Sequence, residues 1–413
     1  MNSNEARGAV EAVWRMESAR IVGALARYTG DFSLAEDLAQ EALAEALVSW
    51  SVNGVPGQPA AWLLTTGRRR AIDTFRRRAA LDDRYAVLAR DLSDEPGADE
   101  LFNEEAIDDD VLALMFTACH PVLSRESRIA LTLRVVGGLG SDEIAKAFLV
   151  PVATIQARIT RAKKTLAAAN VPFAVPEAHE LDERLSSVLQ VIYLIFTEGS
   201  YASGDDWIRT GLTDEARRLA RMMVRLKPEP EVFGLLSLLE LTSARFPARN
   251  DDDGRPVLLE DQDRRRWDSS AIRRGRAALA RAVAAGRGLG AYGLQASIAE
   301  CHAIAPTAKD TDWSRIVVLY EALGRLAPSP VVELNHAVAV AMASGPAAGL
   351  ELVDAISAGG KLAGSHMLPT VRGELLSRLG RSEEARTALQ EALALCGSSA
   401  ERMVLEGKIR ELQ

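Results

Sequence analysis

The densest group of chemically active side chains lies in residues 59–79, PAAWLLTTGRRRAIDTFRRRA. Six arginines fall between Arg68 and Arg78, with Asp73 as the one acid among them. Clustered positive charge beside an aromatic side chain such as Trp62 suits contact with a phosphate backbone and stacking on bases. The attraction of cations to a helix C-terminus would explain about three of these arginines, but not all six. The segment therefore predicts a helix that contacts nucleic acid.

A second cationic surface is predicted in residues 137–166, which we interpret as two short helices joined by a sharp turn. Ser141 is a suitable N-cap for the first helix, and Pro151 separates it from the second. The second helix has apolar residues at spacings of four, three and four, which predict a buried stripe: Ile155, Ile159, Ala162 and Leu166. Its opposite face offers Gln156, Arg158 and Thr160 to base edges or phosphates. The pattern is that of a helix-turn-helix, although an ordinary helical hairpin with a solvated basic face would also fit this stretch taken alone.

A third cluster combines carboxylates, arginines and an aromatic side chain. Its members are Asp261, Asp263, Arg264, Arg265, Arg266 and Trp267. Such a set could hold an acidic ligand or a metal, or it could be salt-bridged scaffolding between helices. We favour the scaffolding interpretation.

No other group of residues predicts catalysis or metal binding. Cys119, Cys301 and Cys396 are far apart and match neither a zinc spacing nor a disulfide framework, so we expect reduced thiols in the core. The sequence contains no triad-like grouping around a Ser or Cys and no glycine-rich phosphate loop. We therefore expect no enzymatic activity, no cofactor and no metal.

The elements that position these residues are predicted to be helical throughout. The chain has 413 residues, 48% of them hydrophobic, and little strand-like alternation, which predicts an all-α protein of several domains. The net charge of −8 is unevenly distributed, because residues 91–110 contain ten acids and no base and are expected to form a solvated tether. An acidic helix is predicted in residues 34–50, with Glu36, Asp37, Gln40, Glu41 and Glu45 exposed.

No apolar run approaches a membrane span, and the N-terminus does not have the pattern of a signal peptide, so a cytoplasmic protein is expected.

The order of these segments resembles the extracytoplasmic-function (ECF) group of bacterial RNA polymerase sigma factors. GDFSLAEDLAQEAL and PAAWLLTTGRRRAIDTFRRR resemble the family's region two, and residues 111–166 resemble its region four. The resemblance implies binding to core RNA polymerase, at its β′ clamp and β flap, and to promoter DNA. It assigns polymerase binding to Asp37, Gln40 and Glu41. It assigns the −10 element to Trp62, Arg68, Arg69, Asp73, Arg76 and Arg77, and the −35 element to Thr154, Gln156, Arg158, Thr160, Arg161 and Lys164.

The remainder of the chain predicts a helical extension. Gly345 and Gly380 lie about one 34-residue period apart, and Trp313 and Pro330 fit a further degenerate unit, which indicates tetratricopeptide-like (TPR-like) repeats with a protein or peptide partner. Stretches such as LEDQD at 259–263 and PSPVVELN at 328–335 resemble an ECF subgroup with a long TPR-type extension. That resemblance implies control of activity in cis, and the candidate regulatory site is Asp261, Asp263, Arg264 and Trp267. The expected domains are 1–85 (region two), 86–110 (linker), 111–170 (region four) and 171–413 (TPR-like).

Two other functions fit parts of the sequence. A free-standing helix-turn-helix regulator with a TPR scaffold would bind an operator without polymerase, but it needs only one DNA-binding module, and this chain has two basic ones. An enzyme centred on residues 261–267 is the least favoured interpretation.

Overall fold

The computed structural model describes residues 3–79, 104–148, 150–200, 210–251, 257–360, 362–397 and 399–412. Within these ranges the regular structure consists of eighteen α-helices and a few single 3-10 turns, with no β-strand. The prediction of an all-α fold is confirmed. The chain forms two compact units, residues 1–195 and 196–413.

The first unit contains seven complete helices and most of an eighth. They are α1 (Ser3–Thr29), α2 (Phe32–Asn53), α3 (Pro59–Ala79), α4 (Glu104–Ala118), α5 (Arg125–Val135), α6 (Ser141–Phe148), α7 (Val152–Ala168) and α8 (Leu181–Ser200). The second unit continues with α9 (Thr210–Leu226), α10 (Pro230–Ser243), α11 (Ser269–Ala284), α12 (Ala291–Ile304), α13 (Trp313–Leu326), α14 (Pro330–Ser344), α15 (Pro346–Ala358), α16 (Met367–Arg378), α17 (Ser382–Leu395) and α18 (Ser399–Glu411).

Helices α1, α2 and α3 share a core formed by their apolar faces. Asp31 caps α2 by accepting hydrogen bonds from the amides of Ser33 and Leu34 at 2.9 and 3.1 Å. Leu25, Leu38 and Trp50 are almost completely buried between the three helices. This packing fixes the direction in which the opposite face of α3 points.

Helix α4 begins at Glu104, within the acidic segment that was predicted to be a tether. Acidic residues are favoured in the first turns of a helix because the N-terminal end of the helix dipole is positive. Residues 80–103, which contain the rest of that segment, lie outside the described residues.

Helices α4 to α7 build a second core, which includes Phe116, Leu131 and Ile155. The predicted N-cap of α6 is displaced by one residue: Ser141 is the first helical residue, and the carbonyl of Gly140 accepts the first helical hydrogen bond, from Ile144. Glu143 reaches back to accept a hydrogen bond from the amide of Gly140 at 2.7 Å, which satisfies a donor at the helix start.

The boundary between the two units falls within α8, later than the expected domain boundary after residue 170. The first half of α8 is hydrogen-bonded to α4 and α5. Arg184 donates to the carbonyl of Phe116 at 2.9 Å, and Ser187 donates to the carbonyl of Cys119 at 2.6 Å and accepts from Arg128 at 2.8 Å. These bonds attach the start of α8 to the helix-turn-helix region.

In the second unit, successive helices form pairs joined by tight turns. Gly345 links α14 to α15 and Gly380 links α16 to α17, both with positive φ, which only glycine adopts readily. Gly373 on α16 lies directly against Leu389 on α17, where a Cβ atom would come within 2.7 Å of the leucine side chain. The glycines identified in the sequence thus occupy helix-pair positions, while the assignment of these pairs to the TPR family stays a prediction. No helix in the described part of the chain is long and apolar enough to cross a membrane.

Candidate nucleic-acid interface

Helix α3 presents a narrow exposed strip of charged side chains. Leu63, Leu64, Ala71 and Phe75 are buried against the first unit's core. The exposed strip consists of predicted site residues spaced three, four or one apart: Arg69, Asp73, Arg76 and Arg77. A helix places such residues on one face, so this strip has the form of a phosphate-contacting or base-contacting surface.

Trp62 and Arg68 lie on the same helix but are held by aromatic neighbours. The half-buried ring of Trp62 meets the ring of Trp50 edge to face at 5.6 Å. The guanidinium of Arg68 lies 4.4 Å from the centre of the Tyr28 ring, a cation–π distance. Both side chains are therefore pre-positioned by the core rather than extended into solvent.

Arg70 is used differently from its neighbours, because it pairs with two acids on α2. Its guanidinium lies 2.7 Å from Glu45 and 3.0 Å from Glu41. Hydrogen bonding to Glu45, followed by that to Glu41, raises the pKa of Arg70. Arg70 therefore links α3 to α2 through two ion pairs. Glu41, a predicted polymerase-binding residue, is its partner.

Helix α7 has the predicted amphipathic form. Ile155, Ile159, Ala162 and Leu166 are all buried, which confirms the stripe expected from their spacing. The other predicted DNA-contacting residues lie on the remaining surface, exposed in the case of Gln156, Thr160, Arg161 and Lys164 and half-buried in the case of Thr154 and Arg158. The helix therefore exposes polar and cationic side chains while its opposite side is held by the core.

The sequence did not predict an ion-pair cluster between α2 and the helix-turn-helix region. Glu36, predicted to be exposed, has a side chain only 6% exposed. It is bonded to Arg134 of α5, at 3.2 Å, and to Lys163 of α7. Lys163 also lies 2.8 Å from Asp37, a predicted polymerase-binding residue. We call Glu36, Asp37, Arg134 and Lys163 the α2–α7 ion cluster.

The two neighbouring carboxylates keep Lys163 charged. Burial by itself would lower the pKa of Lys163, but the neighbouring charge of Glu36 and the hydrogen bond to Asp37 outweigh it, so the pKa is raised. A buried ion pair is expensive to break by removing one partner, since the other charge stays desolvated. The cluster therefore holds α7 against α2 across a long separation in sequence.

A second contact brings the same two regions together. Arg15 of α1 forms an ion pair with Glu143 of α6. In the turn before α6, Gly138 has a φ of +68° and lies so close to α1 that a Cβ atom would come within 2.7 Å of the Ser18 hydroxyl. The segment that contains α6 is thus joined to α1 by both charge and close packing.

The third polymerase-binding candidate, Gln40, is half-buried. Within the described residues its buried Nε2 has no hydrogen-bond partner. The three residues Asp37, Gln40 and Glu41 lie on one side of α2, as their spacing predicts. Two of them carry ion pairs to other helices.

The cluster at residues 261–267 is largely structural. Arg264 donates to the carbonyls of His302 and Ala305 at the end of α12, and its guanidinium lies 4.6 Å from the centre of the Trp267 ring. Asp263 pairs with Arg265 and accepts a hydrogen bond from the Arg265 amide. The arrangement supports the scaffolding interpretation, because Arg264 satisfies carbonyls that the helix end leaves unpaired.

The family models identify both basic segments. The model for Sigma-70 region 2 matches residues 14–80, and the model for Sigma-70, region 4 matches residues 113–166. A family of unknown function (DUF6596) matches residues 184–283.

Two relatives extend the comparison. An uncharacterized protein of Rhizobium meliloti (strain 1021) is 43% identical over 405 residues, which cover 95% of this chain and 93% of that protein. The ECF RNA polymerase sigma factor SigK of Mycobacterium ulcerans (strain Agy99) is 30% identical over 151 residues, which cover 36% of this chain and 78% of that protein.

Proposed function

Because the chain belongs to the ECF type of sigma-70 factor, we propose that it binds core RNA polymerase and directs both the recognition and the melting of promoters. The observation that carries this proposal is that each sigma-70 region contains one helix, α3 or α7, with a buried apolar face and an exposed polar and cationic face. Two DNA-contacting helices of this kind are what a factor that reads two promoter elements requires.

We assign the −10 element to α3. Arg69, Arg76 and Arg77 would neutralise phosphates, and Trp62, Arg68 and Asp73 complete the surface. Trp62 is supported from behind by Trp50, and stacking of a base on an aromatic ring contributes about 1–3 kcal/mol. A rigid aromatic beside cations can stabilise a strand whose bases have separated.

We assign the −35 element to α7. Gln156, Arg158 and Arg161 have side chains suited to base edges, and Thr154, Thr160 and Lys164 can reach phosphates or bases. The buried stripe on the opposite side fixes the angle at which the helix would enter a major groove. Each bidentate base contact would contribute about 1–3 kcal/mol of discrimination.

We assign polymerase binding to Asp37, Gln40 and Glu41 on α2, with the β′ clamp as the contact for this helix and the β flap as the contact for region four. In the described arrangement Asp37 is bonded to Lys163. Binding of polymerase through Asp37 therefore competes with the α2–α7 ion cluster. The proposed location is the cytoplasm, where polymerase and promoter DNA are found.

For the rest of the chain we propose control of this activity in cis. The proposed division is 1–85 for region two, 86–110 for the linker, 111–170 for region four and 171–413 for a TPR-like domain that binds a protein or peptide. Its support is the series of helix pairs joined at Gly345 and Gly380. A regulatory site at Asp261, Asp263, Arg264 and Trp267 stays a prediction.

The proposal is tested by run-off transcription from genomic promoter fragments with core polymerase and the full chain. Initiation should depend on the protein and should fall at least tenfold in an Arg69→Ala/Arg76→Ala variant. The matched control, Arg7→Ala/Arg325→Ala, removes two exposed arginines outside α3 and α7 and should initiate normally. Binding of duplex DNA with no initiation at any promoter would instead identify a free-standing operator-binding regulator.

The regulatory part needs a separate comparison, between the full chain and a chain that ends after Ser200. This end point retains α8, whose first half is bonded to α4 and α5. Stronger initiation by the shorter chain would show inhibition by the C-terminal region, and weaker initiation would show activation. Equal initiation would refute control in cis.

A further inference from the structure

We infer that His366, Cys396 and Glu401 form a zinc-binding site in the second unit. The three residues come from three adjacent helix ends: His366 directly precedes α16, Cys396 directly follows α17, and Glu401 lies in the first turn of α18. Their ligand atoms all lie within 4.8 Å of one another. This site is separate from the DNA-contacting helices and does not depend on the proposed function.

Two of the three ligand–ligand distances fit tetrahedral coordination, and the third, between His366 and Cys396, is at most 4.8 Å. His366 Nε2 lies 3.2 Å from Glu401 Oε2, and Cys396 Sγ lies 3.6 Å from the same oxygen. With metal–ligand bonds of about 2.0–2.3 Å, the edges of a tetrahedron around zinc are about 3.3–3.8 Å long. A zinc ion can therefore lie between the three atoms with small side-chain adjustments.

The donor set favours zinc over the other common divalent ions. One imidazole nitrogen, one thiolate sulfur and one carboxylate oxygen together suit a borderline-soft ion, whereas Mg²⁺ and Ca²⁺ require oxygen ligands. Cys396 is buried and not in a disulfide, and its thiol is hydrogen-bonded to Glu401. Zinc would replace the thiol proton in this contact, so metal binding should release a proton.

The site also has an entry path. A cavity of about 390 Å³ is lined mainly by apolar side chains, and His366 and Glu401 lie on its wall. The described residues supply three ligands, and the fourth position can be filled from the cavity by water or by a small molecule with a donor group. A zinc ion bound here would have one coordination position open to the cavity.

Sequence spacing gave no sign of this site. His366 precedes Cys396 by 30 residues and Glu401 follows it by five, which matches none of the usual zinc-ligand spacings. Helix pairing brings the three together, since α16, α17 and α18 are successive and antiparallel neighbours meet at their ends.

The test uses full-length protein freed of metal with a chelator and kept reduced, with Co²⁺ as the probe and Zn²⁺ as the competitor. The expected result is about one equivalent of Co²⁺ bound per chain, with visible absorption of tetrahedral cobalt and a thiolate-to-cobalt charge-transfer band, both abolished by Zn²⁺. Zinc should also raise the Tm of the protein.

Three variants locate the metal. Cys396→Ser should lose the charge-transfer band, and Cys396→Ser, His366→Gln and Glu401→Gln should each weaken Zn²⁺ binding at least tenfold. Cys301→Ser, which removes another buried thiol of the same unit, is the matched control and should bind like the wild type. Circular dichroism of each variant shows whether it is folded, and Glu401→Gln, which keeps size and shape, decides the question if Cys396→Ser does not fold.

Two results would overturn the inference. One is the absence of a charge-transfer band in the folded wild-type protein at saturating Co²⁺. The other is Zn²⁺ binding by Cys396→Ser and Glu401→Gln that equals that of the wild type and of Cys301→Ser.

Discussion

Replacing Lys163 by methionine should loosen the contact between α7 and α2 and raise the affinity of the protein for core RNA polymerase. The methionine keeps most of the length and the apolar character of the lysine stem but removes its charge. In the wild type the ammonium group bonds to Glu36 and lies 2.8 Å from Asp37. Removing it frees Asp37, the proposed polymerase contact.

The size of the effect follows from the burial of each partner. Glu36 and Lys163 have side chains only 6% and 13% exposed, and a hydrogen bond to a charged group contributes about 1.5–3 kcal/mol net. Asp37 is exposed, so its share is at most about 1 kcal/mol. Glu36 retains Arg134 at 3.2 Å, which limits the cost of leaving it buried. We expect a loss of about 1–3 kcal/mol, which corresponds to about a 5- to 150-fold shift toward the separated arrangement.

The apparent affinity for polymerase rises by at most the same factor, because only the separated fraction presents Asp37 freely. The assay is fluorescence anisotropy of labelled full-length protein titrated with core polymerase, without DNA. Lys164→Met removes an exposed charge from the neighbouring position and is the control, with no change expected. If folded Lys163→Met bound polymerase with unchanged or weaker affinity, the α2–α7 ion cluster would not oppose polymerase binding, and this reasoning would be wrong.

Three further predictions concern stability and reactivity. Burial raises the pKa of Asp110 to about 6, with Arg27 opposing the shift and Asp109 adding to it. The contribution of Asp110 to stability is therefore present below the unfolded pKa near 3.8 and is lost as pH rises through about 6. Asp110→Asn should raise the unfolding free energy at pH 8 by about 1–3 kcal/mol and change it little at pH 4, as measured by urea titration. Arg264→Met should lower the unfolding free energy by about 2–4 kcal/mol, because two carbonyls at the end of α12 lose their donor. Arg265→Met, at a side chain 91% exposed, is the control and should have little effect. Equal effects of the two variants would contradict the capping role of Arg264. Burial raises the pKa of Cys119 to about 11, so in the native protein this thiol should react with a maleimide reagent far more slowly than after unfolding, and rapid native labelling, located by mass spectrometry, would count against the described core.

Sequence periodicity predicted the elements whose function depends on one helix alone. The stripe of α7 was predictable because Ile155, Ile159 and Leu166 repeat with the helical period, and their burial follows from any packing of that helix. The cationic surface of α3 was predictable from its clustered arginines rather than from a period. Family resemblance then supplied the roles of these faces, which periodicity does not contain.

Features that depend on tertiary contacts were not predictable. Glu36 looked like one acid among several on a solvated face, and its partners Arg134 and Lys163 lie 98 and 127 residues away in the chain. Within the basic run, nothing in the sequence distinguishes Arg70, which bridges two helices, from Arg69, which is exposed. Long-range pairing of this kind is specified by packing geometry, which a single sequence does not display.

The most direct test of the account is permanganate footprinting of a promoter fragment bound by core polymerase and the full chain. Wild-type protein should make thymines of the −10 element reactive, and Arg69→Ala/Arg76→Ala should reduce that reactivity at least tenfold while leaving protection of the −35 element in place. If the variant opened the promoter as well as the wild type, or if the wild type opened no promoter with core polymerase, the assignment of promoter melting to α3 would be contradicted.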